Sequence, residues 1–90
     1  MTTITISEDY IEIAGHASEK VVCHGISAIS QMTANYLEKE EFAKTEQSDG
    51  YLKIYKIKRI ARSLSLVEAF VEALHDIDNE YPENIIFKEV

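Results

Sequence analysis

Isoleucines at positions 4 and 6, a polar Ser7-Glu8-Asp9 triplet and isoleucines at 11 and 13 open the chain. Apolar side chains at every second position put one apolar face on an extended strand, and the triplet is turn chemistry, so this pattern predicts a β-hairpin. From Val21 the period lengthens. Val22, Ile26, Ile29, Thr33 and Tyr36 or Leu37 recur every three to four residues, which predicts a helix from Val21 to about Leu37 with one apolar side. Gly25 inside it costs about 1 kcal/mol relative to alanine. That suits either the close approach of another backbone or a ligand, or a tolerated small residue near a helix start.

Residues 41–47 and 51–58 flank the segment Gln47-Ser48-Asp49-Gly50, and Asp-Gly is a strong signal for a tight turn, so a second hairpin is expected. Its later strand carries Leu52 and Ile54 on one face and Tyr51, Tyr55 and Ile57 on the other. Both faces then have apolar surface to cover, one of them by a second subunit. Ser65 to Glu68 has the spacing of a capping box and predicts a helix start. Val67, Phe70, Val71, Leu74, Ile77 and Tyr81 then hold a helical register, while Glu68, Glu72, Asp76 and Glu80 fall elsewhere on the cylinder. Pro82 ends that helix, and Asn84 to Val90 reads as a last strand. The order is ββαββαβ: an α+β fold of two layers, two helices on one mainly antiparallel sheet.

Composition narrows the possibilities. Ninety residues with 46% hydrophobic content suffice for one core, so a single domain over residues 1–90 is expected. Sixteen acidic residues against nine basic ones give a net charge of −7. A nucleic acid or an anionic membrane is therefore not an expected partner, whereas a basic protein would be attracted. One cysteine makes no internal disulfide, and the first residues show neither a basic start nor an apolar run. The expectation is a cytoplasmic protein with a free thiol and no membrane span.

That thiol is the main candidate for chemistry. Cys23 falls in the first turn or so of the predicted helix, where unbonded backbone N–H groups and the helix dipole favour thiolate and could hold an oxyanion. His16 precedes it by seven residues, and the six between them are enough to fold the imidazole back onto the sulfur. The simpler reading is open as well: a lone helical cysteine is often a small buried hydrophobe, and a loop histidine often a surface residue. His24 points about 100° away from Cys23 on a helix. Cys23, His16, His24 and His75 lack the spacing of a structural zinc site, and no metal is expected.

Gly15-His16-Ala17 followed by Val21-Val22-Cys23-His24-Gly25-Ile26-Ser27-Ala28 resembles the ribosomal-processing cysteine protease family, Prp. The pattern of that family is Gly-His-Ala, a loop, then Asp-Ile-Val-Cys-Ala-Ala-x-Ser-Ala. Residues 66–90 are similar to its closing helix, Glu-Tyr-x-Glu-Asn turn and last strand, so the resemblance covers nearly the whole chain. It implies that Cys23 is the nucleophile and His16 the general base, with Gly15 and Ser27 supporting the site. It further implies a cysteine endopeptidase, homodimeric and without a cofactor. The implied substrate is the twenty-seventh protein of the large ribosomal subunit, which loses a short N-terminal extension, or a phage capsid or scaffold protein. The His-to-Cys loop is shorter than in the family, and Lys20 stands where the family has aspartate. Glu19 as a substitute, or Lys20 as a cation favouring thiolate, are the two readings of that difference. Two rival expectations keep the fold without the chemistry: a peptide- or ribosome-binding module, and an obligate dimer of structural role.

Overall fold

A computed structural model describes all 90 residues. The elements follow in the order β1 (Thr2–Ile6), β2 (Ile11–Gly15), α1 (Lys20–Lys39), β3 (Lys44–Ser48), β4 (Tyr51–Tyr55), α2 (Ala61–Glu80) and β5 (Ile85–Glu89). The strands form one five-stranded sheet in the order β3-β4-β2-β1-β5. Three of its pairings are antiparallel, and β1 with β5 is parallel. The two-layer α+β fold read from the sequence is the one observed.

The alternation at the N-terminus has the expected effect. Ile4 stands opposite Ile13, which stands opposite Leu52, and all three are buried. They lie with Ile11, Ile54 and Ile85 in a core that Val22, Ile26 and Leu37 of α1 and Phe70 and Leu74 of α2 complete. Leu74 has no exposed surface, and truncating such a side chain to alanine costs about 2–5 kcal/mol. The opposite sheet face is half-exposed and carries Glu12, Lys53 and Tyr55. Lys53 Nζ sits 4.9 Å from the centre of the Tyr10 ring and 5.8 Å from that of Tyr55, so part of the aromatic surface there is covered from within the chain.

Gly25 faces the other helix. A Cβ at this position would lie 3.5 Å from Ile77 Cδ1, an ordinary packing distance, so its neighbour is an α2 side chain. Helix α1 ends in two bonds, from the Phe42 N–H to the Leu37 carbonyl at 2.8 Å and from the Glu41 N–H to the Glu38 carbonyl at 3.0 Å. This is a Schellman arrangement, with Glu41 at φ 61° where glycine is usual.

Several boundaries differ from the sequence reading, and strand β3 begins at Lys44 rather than 41 because Glu41 and Phe42 close the end of α1. Helix α2 begins at Ala61, four residues before Ser65, with Ile60 at the cap position and no side-chain cap. Tertiary contacts outweigh the capping box: Arg62 donates to the Tyr36 hydroxyl at 2.7 Å and to Glu40 Oε1 at 3.2 Å, and Ser63 is wholly buried. Strand β4 ends at Tyr55, because Lys56 adopts φ 53° and turns the chain. Ile57 consequently joins Leu52 and Ile54 in the core, and its N–H donates to the Asp9 carbonyl at 2.9 Å. Helix α1 also runs slightly longer at both ends than the apolar stripe predicts.

Candidate active site

Strand β2 delivers His16. Gly15, the last strand residue, has φ 95°, and a Cβ on it would lie 2.5 Å from the Met1 carbonyl oxygen, so only glycine fits. Its N–H donates to the Gly50 carbonyl at 2.8 Å, tying the end of β2 to the β3–β4 turn. The Met1 amine donates to the His16 carbonyl at 2.6 Å. The imidazole fills the space that a side chain on Gly50 would need.

Helix α1 delivers Cys23. Glu19 stands at the cap position without a side-chain cap, and its N–H donates to Asn84 Oδ1 at 3.2 Å. Asn84 is buried, donates to the Tyr81 and Pro82 carbonyls at 3.3 Å each, and accepts the Thr2 N–H on its own carbonyl at 2.9 Å. The Asn84 side chain thus joins the start of α1 to the turn after α2, and its backbone carbonyl holds the start of β1. The Cys23 N–H donates to the Glu19 carbonyl at 3.1 Å and closes the first turn. The amides of Lys20, Val21 and Val22 make no backbone bond. These are the donors that a helix start leaves for an anion.

Between α1, the end of β2 and the β3–β4 hairpin lies a cleft of about 280 Å³. Gly15, His16, Cys23 and Ser27 all line it, and the cysteine is half-buried rather than sealed in the core. Ser27 follows Cys23 by one helical turn and is exposed. Glu19 and Lys20 are exposed and do not line the cleft. His24 also points elsewhere, and His75 stacks on Phe87 with ring centres 4.0 Å apart. Asp49 lines the cleft, although no carboxylate comes within ion-pair distance of His16. No group of three His, Cys, Asp or Glu side chains converges as a metal site.

The contact of Gly50 with His16, the Asn84 bonds and the bond from Gln47 Nε2 to Gln31 Oε1 at 2.9 Å are not legible in the sequence. The Asp49-Gly50 turn signal marks the glycine, but nothing local says that a histidine 34 residues earlier packs against it. Beside the cleft, the Tyr51 hydroxyl donates to Glu12 Oε2 at 2.8 Å. That bond to the carboxylate, then partial burial and the negative charges of Glu12 and Glu46, push the phenol up to about 12.

A thiol near the start of a helix and an imidazole line one cleft, which are the residue types that nucleophilic catalysis by a cysteine uses. The family model described as "Cysteine protease Prp" matches residues 1–86, and the chain belongs to this family. Among solved structures, the ribosomal processing protease Prp from S. aureus in complex with a covalently linked product peptide superposes with a TM-score of 0.85 at 21% identity, covering 100% of both chains. The same protease in complex with a substrate peptide gives 0.84 at 20%, again over 100% of both chains. SMU.848 from Streptococcus mutans gives 0.72 at 23%, covering 99% of this chain and 91% of that one. A search of curated proteins returns no match.

Proposed function

We propose that this protein is a cysteine endopeptidase in which Cys23 is the nucleophile and His16 the general base and acid. The observation that carries the reading is that these two residues, in a chain of this family, line the same cleft. The Cys23 thiolate attacks the scissile carbonyl carbon, and the oxyanion that forms is met by helix-start N–H groups. As the C–N bond breaks, protonated His16 gives its proton to the leaving amine, and a thioester remains on Cys23. Neutral His16 then takes a proton from water, hydroxide adds to the thioester, and the C–S bond breaks to release the new carboxylate. The cradle around Gly15 and Gly50 holds the imidazole, and Ser27 supplies a hydroxyl one turn from the sulfur.

The substrate class proposed is the N-terminal extension of a basic protein, either the twenty-seventh protein of the large ribosomal subunit or a phage capsid or scaffold protein. The ribosomal processing role of the S. aureus relative and the net charge of −7 support this choice. The working form proposed is a cytoplasmic homodimer of one domain per chain, without a cofactor. The test is cleavage of peptides spanning such N-termini, followed by mass spectrometry. Cys23→Ala and His16→Ala should each abolish cleavage with an unchanged thermal midpoint. Full turnover by Cys23→Ala would overturn the mechanism, and binding of the peptides without cleavage by the wild-type protein would favour a binding module.

A further inference from the structure

The two halves of the reaction make different demands on His16. In acylation the ring is protonated from the start, and attack by the Cys23 thiolate moves negative charge from sulfur to oxygen without changing the charge of the imidazole. Deacylation starts from a neutral thioester and a neutral ring. His16 takes a proton from water, hydroxide adds to the thioester carbon, the C–S bond breaks, and the imidazolium again faces a thiolate. A positive charge therefore develops on His16 only in this second half. A fixed negative charge beside the ring accelerates that step and leaves the first nearly untouched, because only an interaction stronger in the transition state than in the ground state raises a rate.

Of the sixteen acidic residues, Asp49 is the one that lines the cleft with His16 and Cys23, and no lysine or arginine joins it there. Glu19, which lies nearer to Cys23 in sequence, is exposed and outside the cleft. Asp49 is held beside the imidazole by the backbone of its own turn. The next residue, Gly50, accepts the Gly15 N–H on its carbonyl at 2.8 Å, and a Cβ on it would lie 2.7 Å from His16 Nε2. The Nε2 end of the ring thus rests on the turn that carries the carboxylate. Asp49 makes no ion pair, with His16 or with any other residue, so it acts through space and leaves a neutral ring free to accept a proton.

The hairpin itself has no use for this charge. Asn-Gly serves a two-residue turn as well as Asp-Gly does, and the Asp49 side chain is exposed. We propose that Asp49 is a positioning residue that acts through His16, its carboxylate stabilising the imidazolium that forms during deacylation. The proposal rests on the protease reading.

The test compares two substrates of one acyl sequence: a peptide amide that the wild-type protein cleaves, limited by acylation, and the matching p-nitrophenyl ester, limited by deacylation. Asp49→Asn keeps the turn and removes the charge. It should lower kcat on the ester by about tenfold, lower KM with it, and leave kcat/KM on the amide within about twofold. Asp49→Ser should behave like Asp49→Asn, and Asp49→Glu should restore most of the ester kcat. Intact-protein mass spectrometry at steady state should show more acylated Cys23 in the two neutral variants. Unchanged ester kinetics in both would overturn the proposal and leave the protease reading intact. An equal loss on both substrates would make Asp49 a residue of the turn, and a rise in KM confined to peptides bearing Lys or Arg would make it a substrate contact; either result overturns the proposal. Failure of the wild-type protein to acylate Cys23 with either substrate would sink the protease reading as well.

Discussion

The His16 imidazole occupies the place of the missing Gly50 side chain: a Cβ on Gly50 would fall 2.7 Å from Nε2 and 3.3 Å from Cδ2 and Cε1. Gly50 also holds φ 67°, so the turn and the histidine share one requirement. Gly50→Ala should displace the ring by about 1 Å and lower kcat/KM by roughly a hundredfold. Steady-state kinetics on a cleaved peptide check this. Asparagine tolerates the left-handed region better than alanine but still carries a Cβ. Gly50→Asn should therefore regain stability without regaining activity.

Asn84 is the second support. Alanine at this buried position removes the acceptor for the Glu19 N–H and the donors to two carbonyls. The expected loss is about 2 kcal/mol, read as a fall of roughly 10 °C in Tm. Because the Glu19 contact sits at the start of α1, the iodoacetamide reactivity of Cys23 should change as well. Mass spectrometry of the alkylated protein measures that change.

Glu41 takes a conformation that suits glycine. Glu41→Gly relieves the left-handed penalty, against a smaller entropy gain of the unfolded chain, for a net stabilisation of about 0.5–1 kcal/mol. A higher urea midpoint at an unchanged m-value is the expected result.

Tyr51 gives the pH prediction. Its phenol, held protonated by the bond to Glu12, titrates at about 12 in the folded chain, above the ordinary value of 10.0. A raised folded value means that the contribution of this group to stability is fully present below pH 10 and is lost as the pH rises toward 12. In an ultraviolet titration at alkaline pH, one of the five tyrosines should ionise late. Glu12→Gln should bring that transition down.

What the sequence made legible was local or periodic. Ile4, Ile6, Ile11 and Ile13 announce their strands because alternation needs no partner to be recognised, and Asp49-Gly50 announces its turn because the backbone geometry demands it. The stripe from Val67 to Tyr81 is likewise a property of one helix. The start of α2 is not where Ser65 and Glu68 place it: their spacing carries a capping signal, whereas the actual start lies where Arg62 reaches Tyr36 on another helix. Ile57 turns into the core instead of the opposite face because alternation holds only while the strand continues, and Lys56 ends it. The positions of Cys23 and His16 on one cleft were open to argument from motif and spacing. The contacts of Asn84, Gln31 and Gln47 were not, since an amide side chain carries no sign of a partner 65 or 16 residues distant.

The parallel pairing of β1 with β5, Thr2 beside Ile85, also bears on synthesis. During translation the first strand leaves the ribosome with one edge bare, and the segment that must cover it is made after every other element. Asn84, at the threshold of that segment, accepts the Glu19 N–H at the start of the helix bearing Cys23. A nascent chain that has not yet extruded its closing strand therefore lacks that bond, and its helix is held by core packing alone.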